Sequence, residues 1–424
     1  MADLLQPKKI NYLEGLRGIA ALMVLAHHFM LAFYPAMYDG NPNREHMGDS
    51  ECWYYGSPIN VLTNGNFCVT IFFVLSGFVL SHKYIREGKF DIILSAAKRR
   101  FFRLFIPVGF VIIIAFLLLH FNMYKHMEVS KISNSEWWLG TLWPIPGTFG
   151  WFAEFFTWRV MFDGDSNCDT SMWTMSMELY GSFLVFGLLA ISHVTKRRNL
   201  ICMVALIILF LAHKFYYLAF PLGMMLYKVE EMAAKYKSIL ITVVLPFILL
   251  SLGLLLGSYP SINFAHYSWW DWIYDFKNGK EFLDTFGYVY IHVAGSVLVV
   301  TAVILSPLLQ KILGSRIFIF LGLISFSLYL LHPLVLGAVS CPIFLNYQES
   351  MGYNKAALIA LIALVVVTIG ISYLMAITVD RFSLNFTKKY FGNASDRKKL
   401  APVKVPSQSL EPAEEKIKRK KKKR

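Results

Sequence analysis

Asn11-Tyr-Leu-Glu-Gly-Leu-Arg-Gly-Ile-Ala-Ala-Leu-Met-Val-Leu-Ala-His-His28 runs on to Phe33 as one apolar stretch carrying a few ionisable side chains. About twenty such residues, at roughly 1.5 Å each, cross the roughly 30 Å of hydrocarbon in a bilayer. The stretch lacks a small-residue cleavage pattern and holds His27 and His28 near its far end, so it reads as a retained first helix rather than a removed leader. Working outward, the same criterion predicts ten spans: 12–33, 67–85, 104–122, 172–193, 199–213, 215–228, 238–257, 286–309, 316–338 and 356–380. Residues 139–160 are also apolar, but Pro144, Pro146 and Gly147 interrupt them, which predicts a loop or re-entrant segment packed against the bundle. The expected fold is therefore all-α: a polytopic membrane helix bundle of about ten transmembrane helices. Residues 1–9 form a cytoplasmic N-terminal segment, 10–385 the transmembrane domain, and 386–424 a basic, disordered cytoplasmic tail.

Composition agrees. Of 424 residues 56% are hydrophobic and only 16% charged, and mean hydropathy is +0.50. Ordinary soluble chains carry about 25% charged residues, and this chain has too few to cover a soluble surface. The 16% aromatic share excludes a disordered chain, and five Cys exclude a disulfide scaffold. The net charge of +14 does not point to nucleic acid. From Lys388 to Arg424 fourteen Lys or Arg stand against four Asp or Glu, a balance of +10, which leaves about +4 for everything else. Such a tail solvates, sets topology or attracts anionic lipid headgroups.

Basic residues sort the loops. Lys8 and Lys9, the run from Lys83 to Arg103, Lys196 to Arg198, Lys228 to Lys237, and Lys311 with Arg316 fall on one side with the tail. Asp39, Glu45, Asp49, Glu51, Asp163, Asp165, Asp169 and Asp271 fall on the other, and all ten Trp lie on or beside it. The positive-inside rule then places both termini in the cytoplasm. Cys52, Cys168 and Cys341 share the far side; one disulfide among them is open, and spacing does not choose the pair. No zinc-type Cys/His spacing, phosphate loop, GxSxG elbow or internal repeat is present.

An ionisable side chain inside a span is costly and marks a functional candidate. Arg17 and His28 are eleven residues apart, about 16 Å along the axis and near one face. Arg100 and Arg103, at i and i+3, open the third span, and with Arg17 they suggest a guanidinium cluster of the kind that grips phosphate bidentately. Glu178 lies about seven residues, or about 10 Å, into the fourth span, at a depth similar to that of His28. A buried carboxylate needs a partner, and a carboxylate beside an imidazole orients it as a general base. His332, next to Pro333, is again deep and on the far side, while Ser76 and Gly77 let a neighbouring backbone or slender ligand come close.

Together these segments resemble the acyltransferase 3 family. Leu13-Glu-Gly-Leu-Arg-Gly18 followed by His28 is similar to its opening pattern, with Glu14 where Asp is usual, and the Arg-x10-His spacing selects His28 over His27. Phe72 to Phe78, Arg100-x-x-Arg103 with Pro107, Trp173 to Glu178, and Ser327 to Pro333 follow in the family's order, covering about residues 10–382. The resemblance implies transfer of an acyl group, often acetyl from acetyl-CoA, to a hydroxyl of a carbohydrate or other small acceptor. It implies no permanently bound cofactor or metal, only acyl-CoA as co-substrate. Arg17, Arg100 and Arg103 would hold the CoA phosphates, and the pantetheine arm would pass Ser76 and Gly77. Trp173, Tyr329 and His332 would meet the acceptor. His28, oriented by Glu178, acts either as general base or as a covalent acyl carrier, and the sequence does not separate the two. Membrane lipid is the other partner expected. The compartment is the plasma membrane of a bacterium, or the endoplasmic reticulum if the source is eukaryotic, where the closing Lys421-Lys-Lys-Arg424 reads as a retrieval signal. The rival class is a transporter of a small anion or lipid-linked sugar, which buried His, Glu and Arg also suit.

Overall fold

The computed structural model describes residues 10–144, 148–261 and 279–393. Residues 1–9, most of the basic tail, Pro146, Gly147, Trp269, Trp270 and Trp272 lie outside the described residues. Among those described, every regular element is helical. The principal helices are α1 (Asn11–Phe33), α2 (Gly65–Glu87), α3 (Phe90–His120), α4 (Trp173–Thr195), α5 (Arg198–Leu211), α6 (Phe215–Met225), α7 (Leu245–Gly257), α8 (Gly279–Leu305), α9 (Arg316–Val335) and α10 (Tyr353–Met375). Short helices and turns join them.

Among the described residues eight helical stretches are long and apolar enough to cross a membrane: Asn11–Phe33, Gly65–Glu87, Phe90–His120, Trp173–Thr195, Leu240–Gly257, Gly287–Leu305, Arg316–Met351 and Tyr353–Phe391. They correspond to eight of the ten expected spans. The other two are α5 and α6, with 14 and 11 residues. At 1.5 Å per residue they reach about 21 and about 17 Å, short of a bilayer core. Because α5 and α6 are consecutive, setting both aside leaves the parity of the remaining spans unchanged.

Two further expectations need correcting. The tail does not begin at 386, because a helix runs Arg381–Phe391 and stacks Phe391 on Phe102 at 4.9 Å. The segment around 139–160 contains regular structure: a helix Phe149–Glu154 passes into a π-helical stretch Phe155–Asp163 that buries Phe155, Val160 and Met161 against the bundle. All five cysteines are free thiols.

Lipid supplies no hydrophobic force between spans, so close packing must hold them together. Two seams do this through glycine. Along α1 and α9 a Cβ on Gly18 would sit 2.6 Å from Gly322 N, and one on Gly322 would sit 2.4 Å from Glu14 O. Along α2 and α6 a Cβ on Gly77 would meet Phe220 O at 2.1 Å, and one on Gly223 would meet Val74 O at 2.1 Å. The second seam is why α6 is short yet well placed: it is held backbone to backbone against α2. Gly77 is therefore a packing residue and does not line the expected path of a pantetheine arm.

Candidate active site

Two cavities lie in the bundle. The first, about 240 Å³, opens between α1, α2, α3, α4 and α9 and is lined by Arg17, Phe72, Ser76, Arg100, Arg103, Glu178 and Ser325. The second, about 180 Å³, is lined by His27, His28, Tyr38, Asn66, Trp137, Trp138, Thr170, Trp173 and Tyr288. Val69 of α2 and Tyr329 of α9 line both. Tyr329 is held there by the hydrogen bond between its hydroxyl and Thr174 Oγ1, 3.0 Å. The two cavities thus adjoin at a neck, a shared wall made of one β-branched side chain and one phenol.

The three arginines expected to cluster do share the first cavity, and each is already paired with a carboxylate. Arg17 donates to Glu14 at 3.2 Å, one turn back on α1. Arg100 pairs with Glu178, and its Nε donates to Ser182 Oγ at 2.7 Å. Arg103 donates to Asp380 Oδ1 at 3.0 Å. Asp380 closes a π-helical turn, Ala376–Asp380, that continues α10, and it also accepts from Ser327 Oγ at 3.4 Å. Such turns place side chains off the ordinary α-helical register. Sequence reasoning missed Asp380, although an acid at the end of an apolar span was the signal for it. Ser76 also belongs to this group, donating to Glu178 Oε1 at 2.5 Å.

Glu178 therefore does not orient His28. Its oxygens face α2 and α3 in the first cavity, and His28 looks into the second. The partner of His28 is His332: Nδ1 of His28 lies 2.6 Å from Nε2 of His332, with the rings 4.9 Å apart and nearly parallel. His332 Nδ1 is 3.0 Å from Leu328 O. A carbonyl only accepts, so His332 Nδ1 carries the proton and its Nε2 offers a lone pair. That lone pair accepts a hydrogen bond from His28 Nδ1–H, which leaves the His28 Nε2 lone pair available. His332 is fully buried and does not line the second cavity, so the expectation that it meets the acceptor is corrected: it stands behind His28. Trp138 stacks on the other side of the His28 ring at 5.3 Å.

His27, the neighbour, also lines the second cavity, but its Nδ1 is engaged by Thr63 O at 2.8 Å. Trp173 lines the second cavity and Tyr329 lines both. Tyr38, Asn66, Trp138 and Thr170 join them without having been singled out; all sit in loops or at helix ends, where periodicity carries no signal. Asp169, beside Thr170, is fully buried, and its Oδ1 accepts from the Ser171 N–H and hydroxyl, both at 2.7 Å. Burial still pushes this carboxyl up to about 7. Among the described residues no group of three or more His, Cys, Asp or Glu is placed to hold a metal ion.

The family model described as an acyltransferase domain, Acyl_transf_3, matches residues 10–377, and the chain belongs to that acyltransferase 3 family. It is also similar to the O-acetyltransferase PaAT-1 of Phomopsis amygdali, 28% identical over 240 residues, which cover 50% of this chain and 46% of that protein. The chain thus spans about half the length of that curated relative. No solved structure matches the chain.

Proposed function

We propose that this protein is a membrane O-acyltransferase that moves an acyl group, acetyl in the first instance, from acyl-CoA to a hydroxyl of a carbohydrate or another small acceptor. The single observation that supports this most is the adjacency at Val69 and Tyr329, which line both an arginine-lined cavity and one that His28 lines. The donor's phosphates suit the first cavity, where Arg17 and Arg103 can exchange a carboxylate for a phosphate. The slender arm suits the neck, and the acceptor suits the aromatic walls of the second cavity.

In this reading His28 Nε2 takes the acceptor's hydroxyl proton as the oxygen attacks the thioester carbonyl. The C–S bond then breaks, and the proton passes from His28 to the departing sulfur. His332 holds His28 in the required tautomer, the part an aspartate plays in other base-assisted acyl transfers. In the covalent alternative His28 Nε2 attacks the thioester carbonyl, the C–S bond breaks, and the departing thiolate takes a proton from water. The acceptor oxygen then attacks the acyl carbon, the N–C bond breaks, and the hydroxyl proton passes to the freed Nε2 and on to water, so the net exchange is the same in both. Family membership favours either over a transporter.

The test is transfer of label from radioactive acetyl-CoA by the purified protein in nanodiscs, with and without an acceptor extract. Wild type passes label to acceptor or water, and His28→Ala, folded to the same melting temperature, passes none. Normal turnover by that variant would defeat the proposal.

A further inference from the structure

The turn between α4 and α5 carries a second concentration of positive charge, and it is built differently from the arginines of the first cavity. Lys196, Arg197 and Arg198 line a groove of about 380 Å³ together with Tyr84, Tyr227 and Asn199, and no acid lines it. Among the described residues no carboxylate pairs with any of the three, whereas Arg17, Arg100 and Arg103 each have one. The groove is also organised. Lys196 adopts a left-handed conformation, φ 60°, that turns the chain sharply out of α4. The guanidinium of Arg198 lies over the Tyr227 ring at 3.7 Å, and Tyr227 in turn donates to Asn199 Oδ1 at 3.1 Å. Arg198 Nε is buried there without a hydrogen-bond partner. α5 begins at this point with no side-chain cap, so its first backbone N–H groups add their partial positive charge.

Positive charge at the end of a span can serve topology alone, but that needs neither a groove nor a buried, unpartnered guanidinium N–H. Both point to an oxyanion. Around the groove the surface is apolar: Val194 is 79% exposed, Leu200 50% and Met203 54%. Cations at the end of a span, with apolar side chains beside them, match a lipid whose headgroup phosphate meets the turn while its chains lie along α4 and α5. We propose that the α4–α5 turn is a binding site for a phosphate group, supplied by an anionic phospholipid. A soluble phosphate, such as that on a nucleotide, offers the same chemistry, and the test separates the two.

The full-length protein is compared in detergent with K196Q/R197Q/R198Q and with K235Q/K237Q, which removes two nearby charges outside the groove. Native mass spectrometry counts bound phosphatidylglycerol against phosphatidylcholine of the same chain length, and calorimetry reads binding of adenosine 3′,5′-bisphosphate. The expected result is selective retention of phosphatidylglycerol by wild type and by K235Q/K237Q, and at least tenfold weaker retention by K196Q/R197Q/R198Q. Lost bisphosphate binding with unchanged lipid retention would overturn the lipid assignment while keeping the phosphate site. Equal retention of both ligands by all three proteins, or an equal loss in the two variants, would overturn the site itself. Arg198→Gln alone, which keeps two of the cations, supplies the answer if the triple variant does not fold.

Discussion

The two cavities on either side of the neck differ in how they hold charge. The first contains formal charges in balanced pairs, with Arg17, Arg100 and Arg103 set against Glu14, Glu178 and Asp380. Among the described residues the second has no Lys, Arg, Asp or Glu in its lining, and its polar groups are indoles, phenols, an amide, hydroxyls and imidazoles. Charges taken out of water are costly unless paired, so the first arrangement is what a bundle interior demands of arginines that wait for a phosphate. In the function proposed above, the second suits a base, because no formal charge in its described lining competes for the His28 lone pair. On that reading the bundle separates a place for a charged donor from a place for proton transfer, with Val69 and Tyr329 between them.

The sharpest way to break this contrast is to remove the partner of the neutral base. His332→Ala is expected to lower kcat by about 100-fold or more, in the range of a lost general-base arrangement, with KM for acetyl-CoA unchanged. His332→Gln, whose amide oxygen can accept from His28 Nδ1, should recover part of the loss and shift the pH–rate profile. A structural role alone would lower yield and leave both profiles alike. On the charged side, Glu178→Ala strands Arg100 inside the bundle and is expected to cost about 3–5 kcal/mol of stability, the usual penalty for half of a buried pair. Thermal unfolding in nanodiscs reads this, and an unchanged midpoint would mean that the pair is already solvated. Arg103→Ala should raise KM for acetyl-CoA about tenfold with kcat largely kept, an effect of about 1.4 kcal/mol; Asp380→Asn, which frees Arg103, should lower KM instead. The smallest effect concerns Asp169. Its carboxyl is held near 7 in the folded protein against an ordinary value of 3.8, so the folded state binds the extra proton between those values. Stability should therefore fall as pH rises from about 4 to about 7. Asp169→Asn should flatten that part of a melting-temperature profile, and an identical slope in wild type and variant would remove Asp169 as its source.

Much of this was legible in the sequence, and what was not follows a pattern. Spans were readable because twenty apolar residues leave no other fate in water or lipid. Arg17, Arg100 and Arg103 were read as one cluster from ionisable residues at one end of apolar runs, and they line one cavity; Glu178 was read beside His28 and instead joins the arginines and Ser76. The errors were errors of direction around a helix axis. Residue counting gives depth, and His28 and Glu178 do share a depth, but it does not say which neighbour each face will meet. Gly77 is one residue, about 100° of turn, from Ser76; Ser76 faces the cavity and Gly77 faces Phe220. α5 and α6 came out shorter than the apolar windows because helix length was set by the turns at Lys196 and His213, both with positive φ. The second cavity was least legible, since Tyr38, Trp137, Trp138, Thr170 and Ser261 reach it from connecting segments.

The hydrogen bond between His28 and His332 spans 304 residues of chain. It lies across the seam where α1 and α9 meet at Gly18 and Gly322. During synthesis the first helix is made long before the ninth, and until α9 arrives His28 has no partner to set its tautomer and the neck has no tyrosine. A nascent or truncated chain lacking α9 can thus hold the family's opening motif in the membrane and remain chemically silent. Arrival of the ninth helix supplies Tyr329 and His332 together, so that completing the fold and setting the His28 tautomer are one event.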